Sequence, residues 1–242
     1  MNKIYVLVIG ASSAIGCEII RQISSEHTVI FAHYRQGKDR IEALHSEVTS
    51  TIIPIQADLS HQNDIDVLIE AVASTCNVLQ QIIFIAAPSL VLTRFKELKW
   101  TDFKVQIDVQ LFSAFEILNR FLPEMSKAKY GKVVFILTSS TIGKPPSAMA
   151  HYVTAKYALL GFMKALSSEY AGKNICINAI SPSMIETNFL EQIPEKLVEF
   201  TAQQHPLKRN GLTTDIAPVV KFLLSEGSDF ITGVNIPVTG GG

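Results

Sequence analysis

Tyr152 and Lys156 stand four residues apart and are the residue pair with the clearest chemical potential in this chain. Residues with this spacing share one face of a helix. A free tyrosine titrates near ~10, but a neighbouring ammonium group favours the phenolate and lowers the pKa. Ser139 stands thirteen residues before the tyrosine, at the end of an apolar segment. The three side chains predict general acid catalysis, in which Ser139 binds a carbonyl oxygen and Tyr152 supplies its proton.

A turn of small residues follows the apolar segment Ile4–Ile9, which predicts a buried strand. Small residues at the start of a helix let a pyrophosphate approach free N–H groups and the positive end of the helix dipole. Such residues also occur in turns for packing alone, and Gly16 is interpreted as close helix–strand packing. The residues of this turn that are predicted to bind a cofactor are Gly10, Ala11, Ser12, Ser13, Ile15 and Gly16.

The end of the second predicted strand is basic where an acidic residue would select NAD. It carries His33-Tyr34-Arg35, and an arginine there can bind the 2′-phosphate of NADP. The sequence therefore predicts NADP(H) over NAD(H). Lys38 and Arg40 follow, and they are interpreted as solvated loop charges.

Asp58 and Leu59 follow the third predicted strand. The carboxylate can accept the adenine amino group while the leucine packs on the ring. The alternative is that Asp58 caps a helix or a turn.

Short apolar segments alternate with longer amphipathic ones along the chain. The predicted strands are residues 4–9, 29–34, 51–56, 81–87, 132–138, 174–180 and 235–238. The predicted helices are residues 15–24, 38–48, 64–76, 100–127, 152–172 and 213–225, with a kink before Pro123. This alternation predicts an α/β fold, a doubly wound parallel sheet with helices on both faces. Ligands in such sheets bind beyond the carboxyl ends of the strands.

Composition excludes several other classes. The chain has 242 residues, of which 48% are hydrophobic, and a net charge of -1. Disorder and a general affinity for nucleic acid are therefore not expected. Cys17, Cys76 and Cys176 lack the spacing of a metal site and are interpreted as buried small side chains in a reducing compartment. Because no apolar run approaches the ~18 residues of a membrane span, the protein is expected in the cytoplasm.

These motifs together resemble the short-chain dehydrogenase/reductase family, and most closely its branch of 3-oxoacyl-acyl-carrier-protein reductases. The resemblance covers nearly the whole chain. It also includes Asn178-Ala179-Ile180-Ser181-Pro182, Ile185-Glu186-Thr187, Pro206-Leu207-Lys208-Arg209, Phe222-Leu223-Leu224 and Ile231-Thr232-Gly233. It implies one Rossmann-type domain over residues 1–242 with about seven strands. It further implies a carbonyl–alcohol reaction and a homotetramer or dimer built on the helices around residues 103–121 and 152–170.

The resemblance also implies roles for single residues. Lys156 holds the cofactor ribose besides tuning Tyr152, and Gln110 stands where the family places a catalytic asparagine. The other residues expected at the site are Ala86, Ile185 and Thr187 at the cofactor and Met184 at the substrate, with no metal ligand.

Several positions depart from the family pattern. They are Ala14 for the middle glycine of the first turn, Ile85-Ala86-Ala87-Pro88 for Asn-Asn-Ala-Gly, Gln110 for asparagine, and Ser183 for the glycine after Pro182. Together they suggest a specialised or slow member of the family.

The region 184–205 corresponds to the lid that covers the substrate in the family. Its apolar residues are Met184, Ile185, Phe189, Leu190, Ile193, Leu197 and Phe200. They suit an acyl or aromatic substrate; the alternative is an ordinary amphipathic helix packed on the body of the protein.

Three functions remain open. The first is an NADPH-dependent reductase of a 3-oxoacyl thioester, with an acyl carrier protein as a partner. Lys99, Lys104, Arg120, Lys127 and Lys129 are candidates for a basic docking patch, although scattered surface charge is the alternative. The second is the same chemistry on a free small-molecule ketone or alcohol. The third is a catalytically weak subunit that partners another chain in a hetero-oligomer.

Overall fold

A computed structural model of the chain describes residues 3–191 and 193–242. Its strands are β1 (Ile4–Ile9), β2 (Thr28–Tyr34), β3 (Thr51–Gln56), β4 (Gln81–Phe84), β5 (Gly131–Ile136), β6 (Ile175–Pro182) and β7 (Asn235–Val238). Within the described residues they form one parallel sheet in the order β3-β2-β1-β4-β5-β6-β7. The predicted doubly wound sheet is thereby confirmed.

Helices cover both faces of the sheet. They are α1 (Ala14–Ile23), α2 (Lys38–Glu47), α3 (Gln62–Ala73), α4 (Trp100–Ile107), α5 (Ser113–Ala128), α6 (Ala150–Tyr170), α7 (Glu195–Gln204) and α8 (Thr213–Leu224). Among the helices of residues 3–191 and 193–242, none has the length and apolar character needed to cross a membrane.

The core has two layers because successive strand side chains point to opposite faces. Leu7 belongs to the layer that α3, α5 and α6 cover with residues such as Ile65 and Phe121. Val8 belongs to the layer that α1, α2 and α8 cover with residues such as Ile19 and Ile216. Burial on both faces explains why the strands are continuous apolar segments in the sequence.

The strand order reverses direction at β1, which lies between β2 and β4. The chain leaves β1 toward one side of the sheet and later returns to build the other side from β4 onward. The connections that follow the two strands diverge at this point, so a crevice opens beyond their carboxyl ends. The fold therefore places the candidate site there.

The helical region predicted over residues 100–127 is present, but it contains an irregular turn that the sequence did not indicate. A π-helical turn, Asp108–Phe112, separates α4 from α5, and Pro123 lies inside α5. A π turn shifts the backbone hydrogen bonds to a five-residue spacing, which side-chain periodicity does not reveal. The irregularity therefore lies beside the site and not at the proline.

Candidate active site

A cavity of about 1020 Å³ lies beyond the carboxyl ends of the central strands. It brings together most of the residues predicted from the sequence: Gly10, Ser12, Ser13, Ile15, Arg35, Asp58, Leu59, Ala86, Ser139, Tyr152, Lys156, Met184, Ile185 and Thr187. Ala11, Gly16 and Gln110 are buried and are not among the lining residues.

The turn after β1 brings the backbone close to its neighbours. Gly10 has φ +93°, a left-handed conformation, and a Cβ there would lie 2.8 Å from the Ala86 nitrogen. A Cβ on Gly16 would lie 2.6 Å from the Gly10 carbonyl oxygen. The Ser13 hydroxyl caps α1, since it accepts from the Gly16 N–H at 3.0 Å. Gly16 thus packs the helix against the turn, as its interpretation from the sequence stated.

The N-terminus of α1 faces the cavity at Ala14 and Ile15. N–H groups in the first turn of a helix have no acceptor within that helix. They form a positive end that suits an anionic group such as a pyrophosphate. The observed cradle fits a dinucleotide here.

Two arginines lie at the outer end of the same cavity. Arg35 follows β2, and Arg40 lies in α2 with its guanidinium donating to the Ser12 carbonyl oxygen at 3.2 Å. Arg40 therefore lies at the cavity and is exposed, so it is a solvated charge as interpreted, but on helix α2 and not on a loop. Lys38 is exposed and pairs with Glu42 at 3.2 Å, as expected for a surface charge.

Asp58 lines the cavity and also closes a turn. Its carboxylate accepts hydrogen bonds from the Ser60 N–H at 3.0 Å and from the Ser60 hydroxyl at 2.7 Å. Burial would raise the pKa of Asp58, but the bonds from Ser60 outweigh it and hold the pKa below its ordinary value. One carboxylate oxygen of Asp58 thus caps this turn, which is the alternative role that the sequence analysis left open.

Helix α6 places Tyr152 and Lys156 on one face, and both side chains are buried in the cavity wall. The Lys156 ammonium donates to the Ile136 carbonyl oxygen at 2.7 Å. Its nitrogen lies 5.7 Å from the centre of the Tyr152 ring. The pair therefore has the proximity that its spacing predicts.

The pKa of Tyr152 differs from the sequence expectation. Burial raises the pKa of its phenol to about 12, and a hydrogen bond with the Thr138 side chain lowers it only in part. The expected lowering by Lys156 is not found, because that side chain is held by the Ile136 carbonyl. The phenol is consequently protonated at neutral pH, which is the form that a proton donor needs.

Burial lowers the pKa of Lys156 from its ordinary 10.5 to about 7. Between these pH values the unfolded chain binds more protons than the folded chain, so this residue makes the free energy of unfolding rise with pH. We expect the ligand-free protein to gain up to about 1.4 kcal/mol per pH unit in this window, relative to Lys156→Met. Urea unfolding of both proteins at pH 7, 8 and 9 measures the difference. Parallel pH profiles would contradict the lowered pKa.

Thr138 is a site residue that the sequence interpretation missed. It follows β5 in an extended conformation, and Ser139 begins the next short helical turn, Ser139–Thr141. Thr138 is the first of four consecutive hydroxyl residues, 138–141, that follow the strand. This run was the available signal, but it does not show which hydroxyl lies nearest Tyr152.

Gln110 lies in the π-helical turn, next to the cavity residue Val109. Its amide nitrogen donates to the Gln106 side chain at 2.7 Å. Its amide oxygen is buried and has no hydrogen-bond partner among the described residues. The side chain thus lies behind the cavity wall, and its expected catalytic role stays a prediction.

The lid region forms an apolar wall over Tyr152. Apart from Gln192, which lies outside the described residues, it contributes Met184, Ile185, Phe189, Leu190, Ile193, Leu197 and Phe200 to the cavity lining. The rings of Phe189 and Tyr152 are 6.0 Å apart. The lid includes α7, a helix for which the sequence showed no strong period. Leu90, Leu92 and Met149 line the cavity as well.

The five basic residues suggested as a docking patch are not part of this cavity lining. Lys104 of α4 pairs with Asp108 in the following π-helical turn, and Arg120 pairs with Glu124 within α5. These two side chains fit the alternative of ordinary surface charge.

Comparisons with known proteins agree with this geometry. A family model described as "Enoyl-(Acyl carrier protein) reductase" matches residues 10–242. The chain belongs to the short-chain dehydrogenase/reductase family. It is therefore an NAD(P)-dependent oxidoreductase that acts on CH–OH groups and the corresponding carbonyls.

Curated relatives in this family share about a third of their residues with the chain. The 3-oxoacyl-[acyl-carrier-protein] reductase FabG of Staphylococcus epidermidis is 32% identical, over 100% of this chain and 99% of the relative. The enzyme of the same name from Pseudomonas aeruginosa is 30% identical, over 97% and 95% of the two chains.

Solved structures of the short-chain dehydrogenase/reductase fold superpose closely. A 3-oxoacyl-[acyl-carrier protein] reductase from Brucella melitensis with bound NAD has a TM-score of 0.88 at 26% identity, covering 99% of this chain and 91% of that one. ElxO with NADP bound has a TM-score of 0.87 at 26% identity, covering 100% and 98%. Both dinucleotides thus occur on this fold.

Proposed function

We propose that this protein reduces a ketone to a secondary alcohol with NADPH, and that the ketone is a 3-oxoacyl thioester. The observation that carries the proposal is that Tyr152, Lys156 and the glycine turn line one cavity. The similarity to 3-oxoacyl-[acyl-carrier-protein] reductases over the full chain supports the substrate class. We further propose that residues 1–242 act as one cofactor-binding domain.

Each part of the cofactor would contact a different set of cavity residues. The turn from Gly10 to Gly16 would hold the pyrophosphate, and Arg35 and Arg40 the 2′-phosphate. Asp58 and Leu59 would hold the adenine, and Lys156 the ribose beside the nicotinamide. Ala86, Ile185 and Thr187 complete this part of the wall. When bound, the cofactor supplies the hydride.

The side chains beside the cofactor handle the proton. Ser139 would donate a hydrogen bond to the substrate carbonyl oxygen, and Tyr152 would transfer its phenolic proton to that oxygen as the alcohol forms. Thr138 lines the same cavity as Tyr152, and its hydroxyl would orient the phenol. The apolar lid would exclude water from the reacting carbonyl and pack against an acyl chain.

The two hydroxyls are expected to respond differently to substitution. Thr138→Ser keeps the hydroxyl and should retain most activity, whereas Thr138→Val should lower kcat/KM about tenfold by leaving the buried phenol unpaired. Ser139→Ala should also lower kcat/KM about tenfold, since it removes a donor to the substrate oxygen. Initial rates of NADPH oxidation measure all three. Full activity of Thr138→Val would leave Ser139 as the sole hydroxyl partner.

A substrate panel tests the proposed function. We expect acetoacetyl and longer 3-oxoacyl thioesters, on coenzyme A and on acyl carrier protein, to oxidise NADPH. Each added methylene should raise kcat/KM by up to about fourfold until the lid is filled, because the wall is apolar. Free small ketones serve as the comparison. Turnover with these ketones and not with any thioester would contradict the substrate class and favour the second function.

The alternative of a weakly active partner subunit is favoured by one observation. The Gln110 side chain lies outside the cavity lining, in the π-helical turn beside it. Under this alternative the protein binds NADPH and turns over no substrate until another chain is added. A homo-oligomer is the arrangement that we propose instead, since Trp100, Phe115 and Tyr157 are exposed on α4, α5 and α6.

A further inference from the structure

His33 connects three strand ends beside the cofactor cavity. It lies in β2, and its side chain is buried, with 2% of its surface exposed. Its Nδ1 accepts a hydrogen bond from the Gly10 N–H at 3.1 Å, and its Nε2 lies 3.1 Å from the Ala57 carbonyl oxygen. One imidazole therefore joins the turn after β1 to the segment after β3.

The two contacts fix the tautomer of the ring. A backbone N–H can only donate, so Nδ1 must present its lone pair to Gly10. Nε2 then carries the hydrogen and donates it to the Ala57 carbonyl. A protonated ring would place N–H against the Gly10 N–H and lose this bond. Burial lowers the pKa of His33 to about 4, which keeps the ring neutral under ordinary conditions.

Backbone hydrogen bonds connect the same three segments beside the His33 ring. The Ala11 N–H donates to the His33 carbonyl oxygen at 2.8 Å, and the Ala57 N–H donates to the Tyr34 carbonyl oxygen at 3.1 Å. Ser12 and Asp58, the residues that follow, line the cavity, as does His33 itself. The ring thus lies between the proposed pyrophosphate turn and the proposed adenine contact.

We propose that His33 is a positioning residue for the adenosine half of the cofactor. Its imidazole holds the Gly10 turn and the Ala57–Asp58 segment at the separation that a bound nucleotide requires. This inference rests on the proposed function, because it presupposes a dinucleotide in the cavity. Tyr152 and Lys156 lie in the catalytic part of the cavity, so His33 sets cofactor affinity and leaves the chemical step unchanged.

Three substitutions distinguish the effect of the two hydrogen bonds on cofactor binding from the effect of side-chain packing. His33→Leu removes both bonds, and His33→Asn places an amide oxygen where Nδ1 accepts from Gly10. The side chain of His33→Gln is longer, so its amide group lies beyond the Gly10 N–H and closer to the Ala57 carbonyl oxygen. The measurements are the dissociation constants of NADPH and of 2′,5′-ADP, which carries only the adenosine half, and kcat at saturating NADPH.

We expect His33→Leu to weaken the binding of 2′,5′-ADP and NADPH about tenfold or more. His33→Asn should lose about threefold, less than His33→Leu, because it restores the acceptor for Gly10 and not the contact with Ala57. In every variant kcat at saturating NADPH should stay within about twofold, while the KM for NADPH follows the dissociation constant.

Two outcomes overturn the inference: wild-type affinity in His33→Leu, or an equal loss in His33→Asn and His33→Leu. If thermal melting shows that His33→Leu does not fold, wild-type affinity in both His33→Asn and His33→Gln overturns it instead. A wild-type protein that binds neither probe refutes the proposed function together with the inference. If the wild type binds NADPH and reduces the ketone, and the variants bind NADPH as tightly as the wild type, only the inference is refuted.

Discussion

Tyr152→Phe is expected to lower kcat/KM for ketone reduction about a thousandfold, while NADPH binds within about threefold of the wild type. The substitution removes the only atom of the side chain that can donate a proton and leaves the buried ring. The hydrogen bond from Lys156 to the Ile136 carbonyl oxygen does not involve the phenol. The position of Lys156 in the cavity wall should therefore be unchanged in this variant. Stopped-flow measurement of NADPH oxidation with a 3-oxoacyl thioester and fluorescence titration of NADPH test both parts.

The matched control is Tyr130→Phe. Tyr130 lies between α5 and β5, is half-buried and does not line the cavity. Its substitution removes the same hydroxyl away from the site and should leave kcat/KM unchanged. If Tyr152→Phe keeps a tenth or more of the wild-type rate, the phenol is not the proton donor.

The combined substitution Arg35→Ser and Arg40→Ser should reduce the preference for NADPH over NADH about a hundredfold. Each guanidinium would lose a charge-assisted contact with the 2′-phosphate, and NADH carries only an uncharged hydroxyl at that position. The ratio of kcat/KM for the two cofactors measures the effect. Because both NAD and NADP occur among solved relatives, the preference must come from residues at this end of the cavity.

Lys38→Ala is the control for general charge. Lys38 lies on the same helix as Arg40, pairs with Glu42 and is absent from the cavity lining. It should change the cofactor ratio by less than about twofold, as surface charges screened by salt do. A wild-type preference for NADH, or an unchanged ratio in the double variant, would contradict the NADPH assignment.

The strands were predictable because both faces of the sheet are buried. The bounds of β1, β3 and β7 agree with the sequence to the residue. Strands β4 and β5 end earlier than their apolar segments, although Ile85 and Leu137 stay buried. Their N–H groups still donate to the Ile9 and Ile180 carbonyl oxygens of the neighbouring strands. Hydrophobicity reports burial and does not report where the regular strand ends, so it extended both strands.

Site residues were predictable where a motif has a fixed spacing, as with Tyr152 and Lys156. Thr138 was missed because the path of the backbone after β5 decides which of the neighbouring hydroxyl groups lies nearest the Tyr152 phenol. His33 was missed because a polar residue in a buried strand reveals its partners only after the strands are placed side by side. The pKa of Tyr152 depends on the direction in which the Lys156 side chain points, and the four-residue spacing in the sequence does not determine that direction.

The buried amine of Lys156 also has a thermodynamic consequence for binding. With its pKa lowered to about 7 by burial, this amine changes its charge close to neutral pH in the ligand-free protein. Any ligand that contacts this nitrogen favours one charge state, and its association then exchanges protons with the surrounding buffer. The heat of complex formation should therefore differ between phosphate and Tris solutions of equal pH.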